Sequence, residues 1–205
     1  MKTKNNPTYR SWAHETNDNK KLIMAIYTSI CGAYDKPRTD VKCFTEEKFE
    51  NNPRLSAKIY KCLPHLFMPD EEWHIWIDGN LELKVDEKEL IKLAGKSDVT
   101  VFENPYRNTV GEEMEEIKRL KLDDPEIVDA QTYNKNDKLP ACFLIIRRNT
   151  PEVARRNAEW WAEICAGSVR DQISFPHCYV AKYLDKVDPF NNSIFKRHGH
   201  IIPRG

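Results

Sequence analysis

Trp73-His74-Ile75-Trp76-Ile77-Asp78-Gly79-Asn80 is the stretch on which the reading of this chain turns. An apolar run ends in an acidic residue released by a glycine. At the end of a buried strand such a carboxylate is well placed to hold a hard divalent cation against a substrate phosphate. Leu81 to Val85 reads as a further strand-like run, so the Asp-Gly also fits an ordinary hairpin turn. Locally, both readings stand.

Outward from this stretch, strand and helix signals alternate. Leu22 to Ile30 is apolar on both alternations, as a strand covered on both faces should be, and it leads to the turn-forming Gly32. Val41 to Thr45 is a short strand. Arg54 to Leu63 carries Leu55, Ile59, Cys62 and Leu63 at helical spacing and is stopped by Pro64. Glu87 to Ala94 reads as a helix and Asp98 to Phe102 as a strand, with Glu112 to Leu122 and Pro125 to Tyr133 as surface helices. Ala141 to Arg147 reads as the last good strand. A long helix follows from Pro151 to Ala166, with Thr150 as its cap and Pro151 at its first position. Such alternation implies an α/β fold with a mostly parallel central sheet flanked by helices and the ligand at the carboxyl ends of the strands. No G-x-G-x-x-G or Walker A pattern is present.

The chain has 205 residues, long enough for one substantial core, and we expect a single domain from residue 21 to 205 behind a loose arm, residues 1 to 20, packing only at Tyr9 and Trp12. Lys plus Arg and Asp plus Glu both number 32, so no global basic field is available to hold nucleic acid. The first twenty residues lack the apolar core of a secretory signal and no run is long enough to span a bilayer, so a cytoplasmic protein without a membrane span is expected. Six cysteines without a C-x-x-C pair read as reduced thiols.

Further unusual segments occur in order along the chain. They are Ile26-Tyr27-Thr28-Ser29-Ile30-Cys31-Gly32-Ala33-Tyr34-Asp35, Cys43-Phe44-Thr45, Ala57-Lys58-Ile59-Tyr60-Lys61-Cys62-Leu63-Pro64-His65, Asn104-Pro105-Tyr106-Arg107-Asn108, Trp160-Trp161-Ala162-Glu163-Ile164 and Arg170-Asp171-Gln172-Ile173-Ser174-Phe175. Together with Trp76-Ile77-Asp78-Gly79-Asn80, this set resembles the glycosyltransferase-like family of plants and bacteria that includes the TOD and MUCI proteins, from about Leu22 to Phe175. The resemblance implies a GT-A-like nucleotide-binding fold and a metal-dependent transfer of sugar from a nucleoside diphosphate sugar, a UDP-sugar first, to an unidentified acceptor: glycan, protein, lipid or modified nucleic acid. The departures are Asn104 where the family has His, Thr109 where it has Cys, and Lys and Asp between Tyr133 and Pro140 where a glycine is expected; they bear on the acceptor more than on the donor.

On that resemblance, Asp78 and Asn80 stand in for the Asp-x-Asp element that holds the metal, Mn²⁺ or Mg²⁺, and His198 or His200 would add an imidazole from the C-terminal tail, where Lys196 and Arg197 could reach the diphosphate. An exposed basic tail is the bland alternative. Thr28, Gly32, Tyr34 and Asp35 would meet the base and ribose, although Thr28 could simply fill the sheet. Arg54, Lys58 and Lys61 share one helix face at i, i+4 and i+7, which is either a donor-facing surface or a solvated basic face. Arg107 would bind donor sugar or phosphate. Asp171, with Gln172 beside it, would act as base or orient the sugar, or else cap a short helix starting at Gln172. Trp160 and Trp161 point about 100° apart on a helix, so at least one belongs to the core. Two other classes compete. A catalytically silent glycan or sugar-nucleotide module would not need Asp171, and a metal-dependent phosphoesterase would use Asp78, His177, His198 and His200.

Overall fold

A computed structural model describes residues 13–15, 21–33 and 35–198. The arm, including Tyr9 and Trp12, lies outside the described residues except for the short strand β1 (Ala13–Glu15), which pairs antiparallel with the start of β2 (Lys21–Ser29). β3 (Lys42–Phe44) pairs with the other end of β2, and β4 (Trp73–Ile77) runs parallel to β2 along its opposite edge. Beyond β4 come β7 (Pro140–Arg148), antiparallel, then β6 (Val99–Glu103) and β8 (Lys182–Leu184). Five of the seven strands therefore run one way, with β1 and β7 against them. The architecture is a mixed α/β sheet, mostly parallel, with helices.

Side-chain alternation explains why β4 is buried from end to end. Trp73, Ile75 and Ile77 enter one apolar layer with Phe102, Ile146 and Leu90 of α3 (Glu87–Ala94), while Trp76 enters the opposite layer with Tyr27, Ile145, Trp160 and Phe175. That second layer is covered by α1 (Pro53–Cys62), α6 (Pro151–Ala166) and α7 (Asp171–Cys178). α1 begins where Asn52 accepts a bond from the Leu55 amide at 2.9 Å, with Pro53 in its first turn, and gives way before Pro64 to the short α2 (Pro64–Phe67). A third cluster joins α4 (Val110–Arg119) and α5 (Pro125–Asp129) to Ile173 of α7. Trp160 is fully buried and Trp161 only partly, against Phe49.

Four sequence expectations are corrected. β7 is not the last strand, because β8 and β9 (Phe195–Arg197) follow it; each has three residues and its pairing partner lies far away in sequence, so no local pattern marks it. The helix expected to reach Tyr133 stops at Asp129, because Tyr133 is drawn into the third cluster. α4 is not only a surface helix, since Glu113 is fully buried on its inner face. The hairpin reading of Asp78-Gly79 also fails: β5 (Leu81–Leu83) does not pair with β4 but forms a separate two-stranded sheet with β9. The cysteines described are all free thiols, four of them buried. Among the described residues, no helix is long and apolar enough to cross a membrane.

Candidate active site

A cleft of about 630 Å³ opens at the carboxyl ends of β2, β4 and β6, where Ser29, Asp78 and Asn104 line it. Asp78 is the first residue past β4. Its amide donates to the Phe143 carbonyl at 2.8 Å, and its own carbonyl accepts from Leu81 at 2.9 Å, which turns the chain into β5. Its Oδ1 accepts the Trp76 indole N–H at 3.0 Å, so the strand that carries Asp78 also orients it. A Cβ on Gly79 would come to 3.0 Å from Ile30 Cγ1, so glycine lets this turn lie against the end of β2.

Asn80 is 7% exposed and seats the tail of the chain. Its Nδ2 donates to the His198 carbonyl at 3.1 Å, and its carbonyl accepts the His198 amide at 2.8 Å. Asn80 Oδ1 is buried with no hydrogen-bond partner among the described residues, an oxygen left available to a cation. The tail brings Arg197 into the cleft lining, but Lys196 is exposed on β9 and does not line it. The His198 ring turns to Glu82, with Nε2 at 2.9 Å from Oε2, rather than to Asp78. His200 and Tyr34 lie outside the described residues.

The floor between α1 and α7 is ionic. Lys58 and Lys61 Nζ both lie 2.6 Å from Asp171 Oδ2, and Lys61 Nζ is 3.6 Å from Asp78 Oδ1 and 5.1 Å above the Trp76 ring. Lys61 is 3% exposed, so the solvated-face reading of this helix does not hold for it; Arg54, Lys58 and Lys61, which share one helix face, all line the cleft. Burial opposes charge on Asp171, but Lys58 and Lys61 outweigh it and hold the carboxyl well below the usual carboxylate range. Burial likewise opposes charge on Lys61, where Asp171 and then Asp78 prevail and raise its pKa; Lys58 is lowered by burial, against the pull of Asp171. Asp171 occupies the first turn of α7 rather than its cap, which is Arg170, so the capping reading is overturned. Gln172 lines the cleft and donates to the Pro140 carbonyl at 3.2 Å.

Other expected residues fall differently. Thr28 is fully buried beneath Gly79 and does not line the cleft. Gly32 sits at φ 86° in the exposed turn after β2, also away from the lining, while Asp35 does line it. Arg107 lines the cleft and is held from below by Glu113. His177 packs against Tyr133, ring centroids 5.3 Å apart. Among the described residues no three His, Cys, Asp or Glu side chains gather as a metal cluster, so the His-rich set of the phosphoesterase reading is not assembled there.

Comparison with known proteins covers this same ground. Residues 41–200 match the TOD1/MUCI70, glycosyltransferase-like domain. The chain belongs to this family. The match takes in the Asp78-Gly79-Asn80 turn, both lysines of α1, Arg107 and Asp171, and leaves out β2 and Asp35. A curated relative, a probable hexosyltransferase, MUCI70 of Arabidopsis thaliana, is 29% identical over an alignment of 140 residues that covers 60% of this chain; the chain spans about a quarter, 24%, of that protein's length. Two solved structures are also similar. One is a glycosyltransferase involved in glycosylation of the major capsid of PBCV-1 (TM-score 0.47, 9% identity, 85% of this chain and 91% of that one). The other is A197 from STIV (TM-score 0.42, 8% identity, 89% and 98%).

Three residues at or beneath this cleft escape the sequence reading. Trp76 reads as core, and its N–H bond to Asp78 is a tertiary detail. Arg170 stands beside Asp171 yet sends its guanidinium to α4, 3.5 Å from Glu113. Arg147, fully buried in β7, donates to the Lys61 carbonyl, to Tyr27 Oη at 2.6 Å and to Asn157 Oδ1 at 2.8 Å, so its charge sits at the carbonyl end of α1 and fixes the turn that carries Lys61. An arginine in an apolar strand pattern was the available signal.

Proposed function

We propose that this domain transfers a sugar, a hexosyl group on the analogy of the plant relative, from a nucleoside diphosphate sugar to an acceptor hydroxyl. The observation that carries the proposal is charge. Among the described residues, seven Lys and Arg side chains line the cleft against three Asp, in a chain whose formal net charge is zero. A local excess of cations inside a neutral protein suits a polyanionic ligand, and a departing diphosphate gathers negative charge as the glycosidic bond breaks.

In this reading Lys58, Lys61, Arg54 and Arg197 meet the diphosphate, and Asp171 keeps the two lysines charged and aimed. A general base works best with a pKa near the working pH. Asp171 is held far below that, so its contribution runs through Lys58 and Lys61 rather than through accepting the acceptor's proton. Asp35 and the end of β2 would meet the nucleoside, with UDP the first nucleotide to test.

The donor set fits Mn²⁺ or Mg²⁺ in part: the Asp78 carboxylate and the unpartnered Asn80 Oδ1 are hard oxygen ligands, enough for an ion that takes its remaining ligands from water and phosphate. Such an ion, when bound, would neutralise phosphate oxygens as a Lewis acid. His198, engaged by Glu82, is not needed for it.

The test is a thermal-shift series with nucleoside diphosphates, with and without Mn²⁺, followed by donor turnover. A nucleotide at ~100 times its dissociation constant should stabilise the protein by about 2.7 kcal/mol. No shift with any nucleotide under either condition would sink the proposal, and binding without transfer or donor hydrolysis would favour the silent binding module.

A further inference from the structure

The cleft has a second charged cluster, between α7 and α4. Asp171 sends its carboxylate to α1; Arg170, its neighbour, turns to α4 and approaches the fully buried Glu113 at 3.5 Å. Arg107, from the loop after β6, reaches the same carboxylate. Burying Glu113 without partners would be costly, and two guanidiniums on one carboxylate leave positive charge over. Arg107 also lies 3.7 Å from Glu116, but Glu116 is already gripped by Arg119 at 2.7 and 2.8 Å, and Lys121 adds a further cation to this side of the cleft.

The loop itself is built to hold a shape. Asn104 Oδ1 accepts the amides of Tyr106 and Arg107 at 2.9 and 3.1 Å, closing a tight turn that fixes where both side chains start. That turn leaves Tyr106 61% exposed while it lines the cleft. A large aromatic ring held in water beside two arginines is a surface for a ligand with an apolar face and an anionic group: a sugar ring stacks on the first, and a planar guanidinium fork matches a carboxylate.

We propose that Tyr106, Arg107 and Arg170 form the acceptor subsite, and that the acceptor is a glycan bearing a carboxylate sugar. This rests on the transferase reading and assigns Arg107 to the acceptor instead of the donor. The α1 lysines serve the diphosphate and the α4 side serves the acceptor.

The experiment measures binding of a glucuronate-terminated trisaccharide, its neutral glucose counterpart and inorganic phosphate to the full chain, with UDP measured separately. Expected is a preference of at least ~10-fold for the glucuronate sugar over the neutral one, with phosphate a weak competitor. Arg170→Gln should erase that preference and Arg170→Lys should restore only part of it, both leaving UDP affinity within about twofold, since the fork and not the charge alone is used. Because Arg170 touches a buried carboxylate, Tyr106→Ala provides an exposed variant that should weaken both trisaccharides without lowering the melting temperature. Equal affinity for the two trisaccharides, or binding of neither, would overturn the assignment. If UDP binds and the preference is missing, only the acceptor inference fails; if UDP does not bind, the donor reading fails with it.

Discussion

The Asp171 carboxylate meets the Lys61 ammonium at 2.6 Å in the floor of the cleft, and the same carboxylate oxygen holds Lys58 at 2.6 Å. One acid thus binds two cations in the floor of the cleft, and Asp78, 3.6 Å from Lys61, stands beside them.

Asp171→Asn should therefore destabilise the protein, by ~3 kcal/mol, because buried Lys61 and half-buried Lys58 lose the carboxylate that both share. The stabilisation by UDP should be larger in the variant than in wild type, since the diphosphate then supplies the missing negative charge. Paired melting curves with and without UDP check this. Equal UDP shifts in both proteins would mean that the diphosphate does not meet the lysines.

Asp78→Ala and Asn80→Ala should remove the Mn²⁺ dependence of UDP binding. Asp78 should do so with little change in melting temperature, because its side chain is 33% exposed and lies outside the apolar layers. Titration calorimetry with UDP, with and without Mn²⁺, reads this directly. An unchanged Mn²⁺ response in both variants would rule out these ligands.

His198→Ala should leave metal response and turnover within about twofold, since its ring pairs with exposed Glu82 and exposed ion pairs contribute little. Ending the chain after Phe195 should cost much more, because it removes Arg197 from the cleft and the two hydrogen bonds that the His198 backbone makes with Asn80, one to its carbonyl and one from its side-chain amide. A large loss of turnover in His198→Ala would return that residue to the metal site.

Stability should fall on acidification between pH 6.5 and about 4 through His74. It is fully buried in β4, and burial first, then the nearby Arg147, His65 and Lys42 charges, push its pKa from 6.5 to about 4 against the bond to the Met68 carbonyl. In that window the unfolded chain binds a proton that the folded one refuses, so stability drops as pH falls, by ~1.4 kcal/mol per unit and ~3 kcal/mol in all. Denaturant melts of wild type and His74→Gln across this range check it: the slope should shrink in the variant, and equal slopes would exclude His74 as its source.

By itself the sequence determined the elements that local chemistry controls. The end of α1 before Pro64, the α6 start at Thr150-Pro151 and the buried strand Trp73–Ile77 are set by proline geometry, capping and apolar patterning within a few residues, and all three form where those signals put them. The i, i+4, i+7 spacing of Arg54, Lys58 and Lys61 also carried through to one shared cleft. Tertiary structure decided the rest, because it depends on which distant segments meet. Whether Asp171 would cap a helix or bind lysines was settled by α1 packing under α7, and His198 went to Glu82 because the β5–β9 pairing sets its register. No local pattern marks Glu113 as buried or Arg147 as holding the end of α1. Long-range contacts of this kind bring together charges that sequence spacing keeps apart.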